Sequence, residues 1–171
     1  MSNEARSVEE LLGRGREFVN SLMLVFFNKI GEGCSGIDNP SMDLLDKTIS
    51  GNADGVAFIL KQCDGININI EDESLRTPLI YASSLGHLEI VKLLLEEEGI
   101  NLNTVNQNGL TPLMFASDMG HVEIVRLLLG QEGIDINVKG GSLFWKSQRT
   151  ALHYALDKGH LEVVELELDL G

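Results

Sequence analysis

The chain contains several copies of one block of sequence, and this repetition limits its possible folds more than any other feature. One copy starts at Thr77 and reads TPLIYASSLGHLEIVKLLLEEEGINLN. The next starts 34 residues later, at Thr111, and reads TPLMFASDMGHVEIVRLLLGQEGIDIN. After a step of 39 residues, a third copy starts at Thr150 and reads TALHYALDKGHLEVVELELDLG, and a fainter copy occupies residues 42–69. A unit this short cannot bury an apolar face alone, so we expect the copies to stack into a solenoid.

Each copy has the pattern of two helices joined by a glycine turn. In two copies Thr-Pro opens the first helix, because proline fits the first turn, where its missing N–H costs nothing. Leu79, Tyr81 and Ala82 then supply an apolar face. Gly86 is expected to end the helix, since glycine accepts the left-handed conformation. The second helix is apolar over too wide a face for a single neighbour, so we expect it to be sandwiched between others.

The blocks resemble the ankyrin repeat, whose period is about 33 residues and whose marker is Thr-Pro-Leu-His-x-Ala. Residues 77–79, 111–113 and 150–155 match this marker. The resemblance covers residues 42–171 and implies an all-α fold. This fold is an α-solenoid of stacked helix-turn-helix repeats, with short β-hairpin-like fingers and an extra N-terminal helix. The expected repeats are residues 42–74, 75–108, 109–147 and 148–171.

The copies depart from the repeat pattern at several positions. Ile80 and Met114 replace the histidine of the marker, so its hydrogen bond to threonine is expected only where His153 keeps it. Glu167 stands where the earlier copies have leucine. Polar capping of the end of the stack and an abrupt end of the sequence both explain this glutamate.

Residues 1–40 do not repeat, and they are expected to precede a repeat domain at 41–171. Apolar residues between Val8 and Ile30 recur mostly at steps of three and four, which predicts an amphipathic helix. A loop then leads to Ser41, the expected N-cap of the first repeat helix. Two roles stay open for the N-terminal helix. It caps the exposed end of the stack, or it binds a partner, for which a second copy in a homodimer is one choice.

The charge of the chain excludes some ligands. There are 13 Lys and Arg against 26 Asp and Glu, a net charge of −13. So acidic a chain repels phosphate, and we expect neither a nucleic acid partner nor docking on anionic lipid. No apolar run approaches the roughly 20 residues that a membrane-spanning helix needs, so no membrane span is expected.

The two cysteines, Cys34 and Cys63, are too few for a disulfide scaffold. A reducing compartment is the simplest interpretation, which predicts a cytoplasmic or nuclear location, or both. Cys63 lies at the end of an apolar helical pattern and is interpreted as a packed thiol.

No group of residues has the spacing of a catalytic, metal or cofactor site. His87, His121 and His160 share one repeat position. Packed helices lie about 8–10 Å apart, whereas metal ligands lie about 2 Å from their ion, so these histidines are expected to make structural hydrogen bonds. We predict that the chain is not an enzyme and binds no cofactor.

The loop before the last copy is longer than the others. The next threonine comes eight positions after the closing asparagine in two copies, but Thr150 comes thirteen positions after Asn137. The residues of this loop with the chemistry of a binding site are Leu143, Phe144, Trp145, Lys146 and Arg149. Aromatic and arginine anchors dominate the energy of many interfaces, so we predict partner binding here. The alternative is that Trp145 packs back onto its own finger or helix.

The family resemblance implies that the fingers and the first helices form a concave binding face. Its other candidate residues are Glu71, Asp72, Glu73, Arg76, Asn106, Gln107, Asn108, Asp118 and Met119. The first finger is mostly acidic and the third is basic, a pattern that would orient a partner carrying both charges. The alternative is a surface that only contacts solvent.

Asn137 is a candidate modification site. Leu129 and Asp135-Ile136 precede it, and this context resembles the ankyrin sequences on which an asparaginyl hydroxylase acts. The alternative is an asparagine that forms a turn by bonding to the local backbone.

The predicted function is non-catalytic binding of a protein partner through the concave face, as an interaction module or scaffold. Two other classes stay open. The chain is the targeting module of a larger enzyme or secreted effector, or it is a small stoichiometric inhibitor. The second alternative rests on a resemblance in repeat number to the four-repeat cyclin-dependent kinase inhibitors.

Overall fold

The computed structural model describes residue 37 and residues 39–141 and 148–169. The chain divides between Asp38 and Asn39. The N-terminal helix predicted within residues 1–40 lies outside the described residues, except for positions 37, 39 and 40. The helices of the described part are α1 (Pro40–Ile49), α2 (Ala53–Gln62), α3 (Pro78–Leu85), α4 (Leu88–Leu95), α5 (Pro112–Met119), α6 (Val122–Leu129), α7 (Ala151–Lys158) and α8 (Leu161–Leu168).

The helices form two layers. The first helices α1, α3, α5 and α7 contact one another in chain order, and so do the second helices α2, α4, α6 and α8. Each first helix also packs on the second helix of its own repeat. Leu79, Leu113, Ile90 and Ile124 are fully buried at these contacts. The predicted all-α solenoid of stacked repeats is therefore confirmed.

The Thr-Pro signals begin helices as the sequence predicts. The Thr77 hydroxyl accepts the N–H of Ile80 at 3.3 Å, and the Thr111 hydroxyl accepts that of Met114 at 3.2 Å. In α7 the Thr150 hydroxyl lies 2.9 Å from Nδ1 of His153. The bond that the family resemblance implies for this histidine is present.

The first helix begins earlier than expected. Asn39 is the N-cap of α1, and its side chain accepts the N–H of Met42 at 3.2 Å. Pro40 takes the first helical position, where its fixed φ is favourable, so the cap falls on the residue before it. The Ser41 hydroxyl instead accepts the N–H of Asn67 at 2.9 Å.

One residue at the end of α2 differs from its predicted state. Cys63 is buried at the C-cap of this helix. Its sulfur is disulfide-bonded, so the interpretation of Cys63 as a packed thiol is wrong.

The three equivalent histidines lie between repeats. Gly86 and Gly120 end their helices with φ of +76° and +71°. An imidazole of the following repeat lies against each glycine. A Cβ on Gly86 would lie 2.7 Å from Cε1 of His121. His121 Nε2 lies 3.4 Å from the carbonyl of Ser84, and His160 Nε2 lies 3.1 Å from that of Asp118. The predicted structural role is confirmed for these two histidines.

Glu167 on α8 lies inside the stack. Its residue surface is 5% exposed, and it accepts a hydrogen bond of 2.5 Å from the Ser117 hydroxyl of α5. Of the two explanations offered for this glutamate, polar capping of the end of the stack is therefore wrong, because the side chain does not face solvent. Burial raises the pKa of the Glu167 carboxyl, and the Ser117 hydrogen bond opposes this increase.

We predict that Glu167→Leu stabilises the chain by about 1–3 kcal/mol at neutral pH, because it removes a charge from the interior. A raised native pKa means that Glu167 lowers stability as pH rises from the unfolded value, 4.5, through the native one. The gain should therefore be larger at pH 8 than at pH 4. Urea unfolding followed by circular dichroism measures both free energies.

The exposed Glu165 of the same helix supplies the control, and Glu165→Leu should change the free energy by less than about 0.5 kcal/mol at either pH. The variant at 167 leaves the Ser117 hydroxyl without its carboxylate. This arrangement already exists one repeat earlier, where the buried Ser83 hydroxyl has no partner among the described residues. A Glu167→Leu variant that unfolds more easily at pH 8 than the parent would contradict the assignment.

Candidate functional site

The site predicted by the sequence is built on three fingers, the connections that enter α3, α5 and α7. We define finger 1 as residues 70–77, finger 2 as residues 104–111 and finger 3 as residues 138–150. Of finger 3, residues 138–141 and 148–150 are described. The described fingers contain no β-strand; an isolated antiparallel bridge joins Gly140 to Arg149. The hairpin-like form expected of the fingers is thus reduced to turns and this single bridge.

One acidic or amide side chain shapes each of the first two fingers. The Asp72 carboxylate accepts the N–H groups of Ser74 and Arg76, both at 2.8 Å. In finger 2 the side-chain oxygen of Asn106 accepts the N–H groups of Asn108 and Leu110 at 2.9 and 3.0 Å. Short polar side chains stabilise turns in this way. Two of the predicted contact residues, Asp72 and Asn106, therefore hold the fingers in shape.

Backbone hydrogen bonds join the fingers to one another. The N–H of Gln107 donates to the carbonyl of Ser74 at 3.1 Å, and the side chain of Gln107 donates to the carbonyl of Glu73. One repeat later, the N–H of Gly141 donates to the carbonyl of Asn108 at 2.9 Å. The same bond thus recurs between fingers 1 and 2 and between fingers 2 and 3. We call the resulting continuous surface the finger edge.

Close backbone contact fixes finger 3 at Gly140. A Cβ at this position would overlap the carbonyl of Gly109 and would lie 2.9 Å from Sδ of Met114. The N–H and carbonyl of Gly140 are both bonded to Arg149 at 2.9 Å, so the backbone has no freedom to retreat. A glycine at position 140 is therefore required for packing between fingers 2 and 3.

Aromatic rings and guanidinium groups line the finger ends of the first helices. The Arg76 guanidinium lies 5.5 Å from the ring centre of Tyr81 on α3 and 5.7 Å from that of Phe115 on α5. These distances fit cation–π contact with both rings. The Arg149 guanidinium lies 5.9 Å from the ring centre of Tyr154 on α7. Arg76 and Arg149, two candidates from the sequence, are thus placed against first helices.

The Tyr81 hydroxyl links α3 to finger 1. It donates to the second oxygen of Asp72 at 2.6 Å, and this hydrogen bond is the main reason that the pKa of Tyr81 is raised. Burial by itself would raise the pKa of Asp72, but the hydrogen bonds from Tyr81, Arg76 and Ser74 outweigh it and lower that pKa. Asp72 is therefore a fixed anion that is already occupied by the protein's own donors.

Leu75 in finger 1 has an unusual backbone conformation. Its φ is +57°, and it is the one non-glycine residue with positive φ in the described part of the chain. The residue 34 positions later in finger 2 is Gly109, with φ +72°. A left-handed leucine costs about 1–2 kcal/mol relative to its relaxed backbone. Since the residue is 44% exposed, packing offsets less of this strain than it would for a buried leucine.

Asp118 and Met119, the candidates on α5, differ in accessibility. Asp118 is half-buried, and its carboxylate lies 3.7 Å from Nζ of Lys158 on α7. Met119 is 51% exposed. Glu71, Glu73 and Asn108 are exposed on the fingers. Arg149 forms an ion pair with Asp157 of α7.

Four candidates of the long loop, Leu143, Phe144, Trp145 and Lys146, lie outside the described residues. Their role in partner binding stays a prediction.

Asn137 can be compared with two equivalent asparagines. The side chains of Asn69 and Asn103 donate to the carbonyls of Gly99 and Gly133 in the following repeat, both at 2.8 Å. Asn137 is exposed, and its N–H donates to the Asp135 side chain at 2.9 Å. This bond is the local turn contact that was weighed against modification, which stays a prediction.

Two further features concern the described residues alone. Nowhere among them do three His, Cys, Asp or Glu side chains converge in a way that could hold a metal ion. None of their helices is long and apolar enough to cross a membrane.

Sequence reasoning missed Leu75 and misplaced Tyr81. Tyr81 was assigned to the apolar face of α3, yet it is half-buried and bonds to finger 1. The sequence signal for a shared role of these side chains was an aromatic residue four positions after the threonine in three copies, at Tyr81, Phe115 and Tyr154. For Leu75 the signal was a bulky residue at the position that Gly109 occupies in the next copy.

We predict that Gly140→Ala lowers the free energy of unfolding by about 1–3 kcal/mol, because the new methyl group must displace the Gly109 carbonyl. Gly130 is the matched control. It has φ of −76°, and a Cβ there would be in ordinary contact, 3.4 Å from the carbonyl of Arg126. Gly130→Ala should be neutral or slightly stabilising. Equal urea midpoints for the two variants would show that finger 3 does not pack as described.

Comparison with known families agrees with the repeats seen in the structure. A family described as ankyrin repeats (3 copies) matches residues 44–140, which is more than half of the chain. A second, described as ankyrin repeats (many copies), matches residues 118–166. No curated protein matches the chain at a significant level. With its stacked helix pairs, Thr-Pro caps and glycine turns, the chain belongs to the ankyrin repeat family.

Proposed function

We propose that the chain is a non-catalytic binding module that holds a protein partner on the face formed by the finger edge and the first helices. Ankyrin repeats generally mediate protein–protein interaction. The observation that carries the proposal for this chain is the recurring backbone hydrogen bond between fingers, from Gln107 to Ser74 and from Gly141 to Asn108. These bonds order the edge before any partner arrives.

A pre-ordered surface favours binding because little conformational entropy remains to be lost on association. The turns of fingers 1 and 2 are closed by Asp72 and Asn106, and the latter is itself buried. Arg76 is held between two rings. The Asp72 and Asn106 side chains that shape these turns are thus bonded within the protein. The buried Nε of Arg76 has no hydrogen-bond partner among the described residues. The other side chains of this surface face solvent.

The side chains left over combine apolar and charged groups. Met119 at the end of α5 offers an exposed thioether chain, a residue type enriched in interface cores. Glu71 and Glu73 lie on finger 1, and Lys139 lies exposed on finger 3. A partner that carries both signs of charge would be oriented along the stack, as the sequence predicts.

The proposal predicts that Met119→Glu weakens the partner's binding at least about tenfold, equivalent to about 1.4 kcal/mol. The substitution would place a negative charge where the partner buries the methionine side chain. The partner is first captured from a cell lysate with the full chain and then purified. Titration calorimetry gives its Kd for the parent and for the variant.

Leu168→Glu is the matched control, because Leu168 is an exposed apolar residue of the second-helix layer at the end of α8. It makes the same change of charge away from the fingers, and should leave the Kd within about twofold. Circular dichroism must show that both variants are folded. If Leu168→Glu weakens binding and Met119→Glu does not, the partner binds elsewhere and the proposed face is wrong.

A further inference from the structure

Finger 1 presents a solvent-facing row that differs from the rest of the finger edge. Glu71, Glu73 and Leu75 are exposed, while the residues between them are half-buried. The alternation follows from the turn itself, because Asp72 points inward to bond the backbone and Tyr81. One apolar and two acidic side chains therefore project from the same finger.

Leu75 is unfavourable in two independent ways. Its φ of +57° strains any residue that has a Cβ, and its exposed side chain contributes apolar surface to water. The turn does not need it, since finger 2 makes the same turn with Gly109. In both fingers the residue three positions earlier accepts the same two backbone N–H groups. A glycine at 75 would keep the turn and remove the strain.

The two glutamates are unpaired. Among the described residues neither Glu71 nor Glu73 forms an ion pair, whereas Asp157 and Asp118 are paired with Arg149 and Lys158. The position equivalent to Glu71 in finger 2 is Val105, which is 40% exposed. Leu75 and Val105 thus lie exposed on two fingers that are bonded to each other, and the two carboxylates without an ion pair lie on the same finger as Leu75.

We propose that Leu75 and Val105, together with Glu71 and Glu73, form the docking surface for a segment of the partner that carries an apolar side chain next to lysine or arginine. Charge complementarity selects this chemistry over an acidic segment, which the carboxylates and the net charge of −13 would repel. The inference rests on the proposed function, and it adds the position of the anchor and the chemistry of the segment that binds it.

The probe is a phage-displayed library of random twelve-residue peptides, selected on the full chain. Enriched peptides should contain Lys or Arg beside a large apolar residue. Synthetic copies should bind Leu75→Gly at least tenfold more weakly than the parent, as measured by fluorescence anisotropy. The thermal midpoint of Leu75→Gly should equal or exceed that of the parent, because the strain at φ +57° is relieved.

Two further variants separate the anchor from the charges. Leu75→Asn keeps a residue that tolerates the left-handed conformation but removes the apolar group, so binding should fall as it does for glycine. The double variant Glu71→Gln with Glu73→Gln should weaken binding and reduce its dependence on salt concentration. Leu161→Ser, at a leucine that is 71% exposed on α8, is the control and should leave peptide binding unchanged.

Three outcomes would overturn the inference. These are the enrichment of acidic peptides, equal binding to Leu75→Gly and parent, and the failure of any peptide to be enriched on a surface that is already ordered. None of them contradicts the proposed function if the purified partner still loses affinity for Met119→Glu. Loss of sensitivity at Met119 with retained sensitivity at Leu75 would instead restrict the proposed face to the fingers.

Discussion

Contact between neighbouring repeats is the interaction on which the whole described structure depends. A single pair of eight-residue helices has one layer of buried side chains and cannot exclude water from both sides. Three sets of inter-repeat bonds hold successive pairs in register. Imidazoles such as His121 lie over the glycine turn of the preceding repeat, asparagines such as Asn103 bond to the next repeat, and finger amides such as that of Gln107 bond to the preceding finger.

These bonds lie on different sides of the helix pairs, so they resist rotation of one repeat against the next. The finger edge inherits its order from the same contacts. Its backbone groups are paired between repeats, and its turns are closed by Asp72 and Asn106. Replacing Gly140 would disturb this edge because the fingers touch through backbone there. The surface available to a partner is therefore a consequence of how the repeats stack.

The sequence predicted the features that are local and periodic. The caps at Thr77 and Thr111, the glycine turns and the bonding of His121 and His160 all follow from residue types at a fixed spacing. The start of α1 was misassigned by two residues, because the proline at 40 moves the cap to Asn39. Asn39 and Ser41 are both residue types that accept a backbone N–H at the start of a helix, so residue type alone did not distinguish them.

The remaining differences arise from contacts between distant residues. From the sequence alone Glu167 is interpreted as a residue at the end of the stack, but in the structure its carboxylate is buried and bonded to the Ser117 hydroxyl of α5. The sequence predicts Tyr81 as a core residue, but in the structure its hydroxyl donates to Asp72 of finger 1. The strain at Leu75 becomes visible only through its dihedral angle, although the comparison with Gly109 was available in the sequence. The candidates of the long loop, including Trp145, lie outside what the structure describes.

A binding face built in this way combines an ordered backbone with a few exposed side chains that the fold itself does not use. The aromatic rings of the first helices contact guanidinium groups of the fingers, as Tyr81 and Phe115 contact Arg76. The leucine of finger 1 is the opposite case, since its backbone is strained and 44% of its surface is exposed. Retaining such a residue at the edge of a stable stack is the pattern expected when function, not folding, determines a side chain.

Amide hydrogen exchange of the free chain, measured by NMR, tests most directly whether the finger edge is ordered before binding. The amides of Gln107 and Gly141 donate between fingers, whereas that of Glu73 donates no hydrogen bond in the described structure. The account predicts that the first two exchange at least about tenfold more slowly than their intrinsic rates, while Glu73 exchanges near its own. Unprotected amides at both Gln107 and Gly141 would contradict it, because the fingers would then be independent loops.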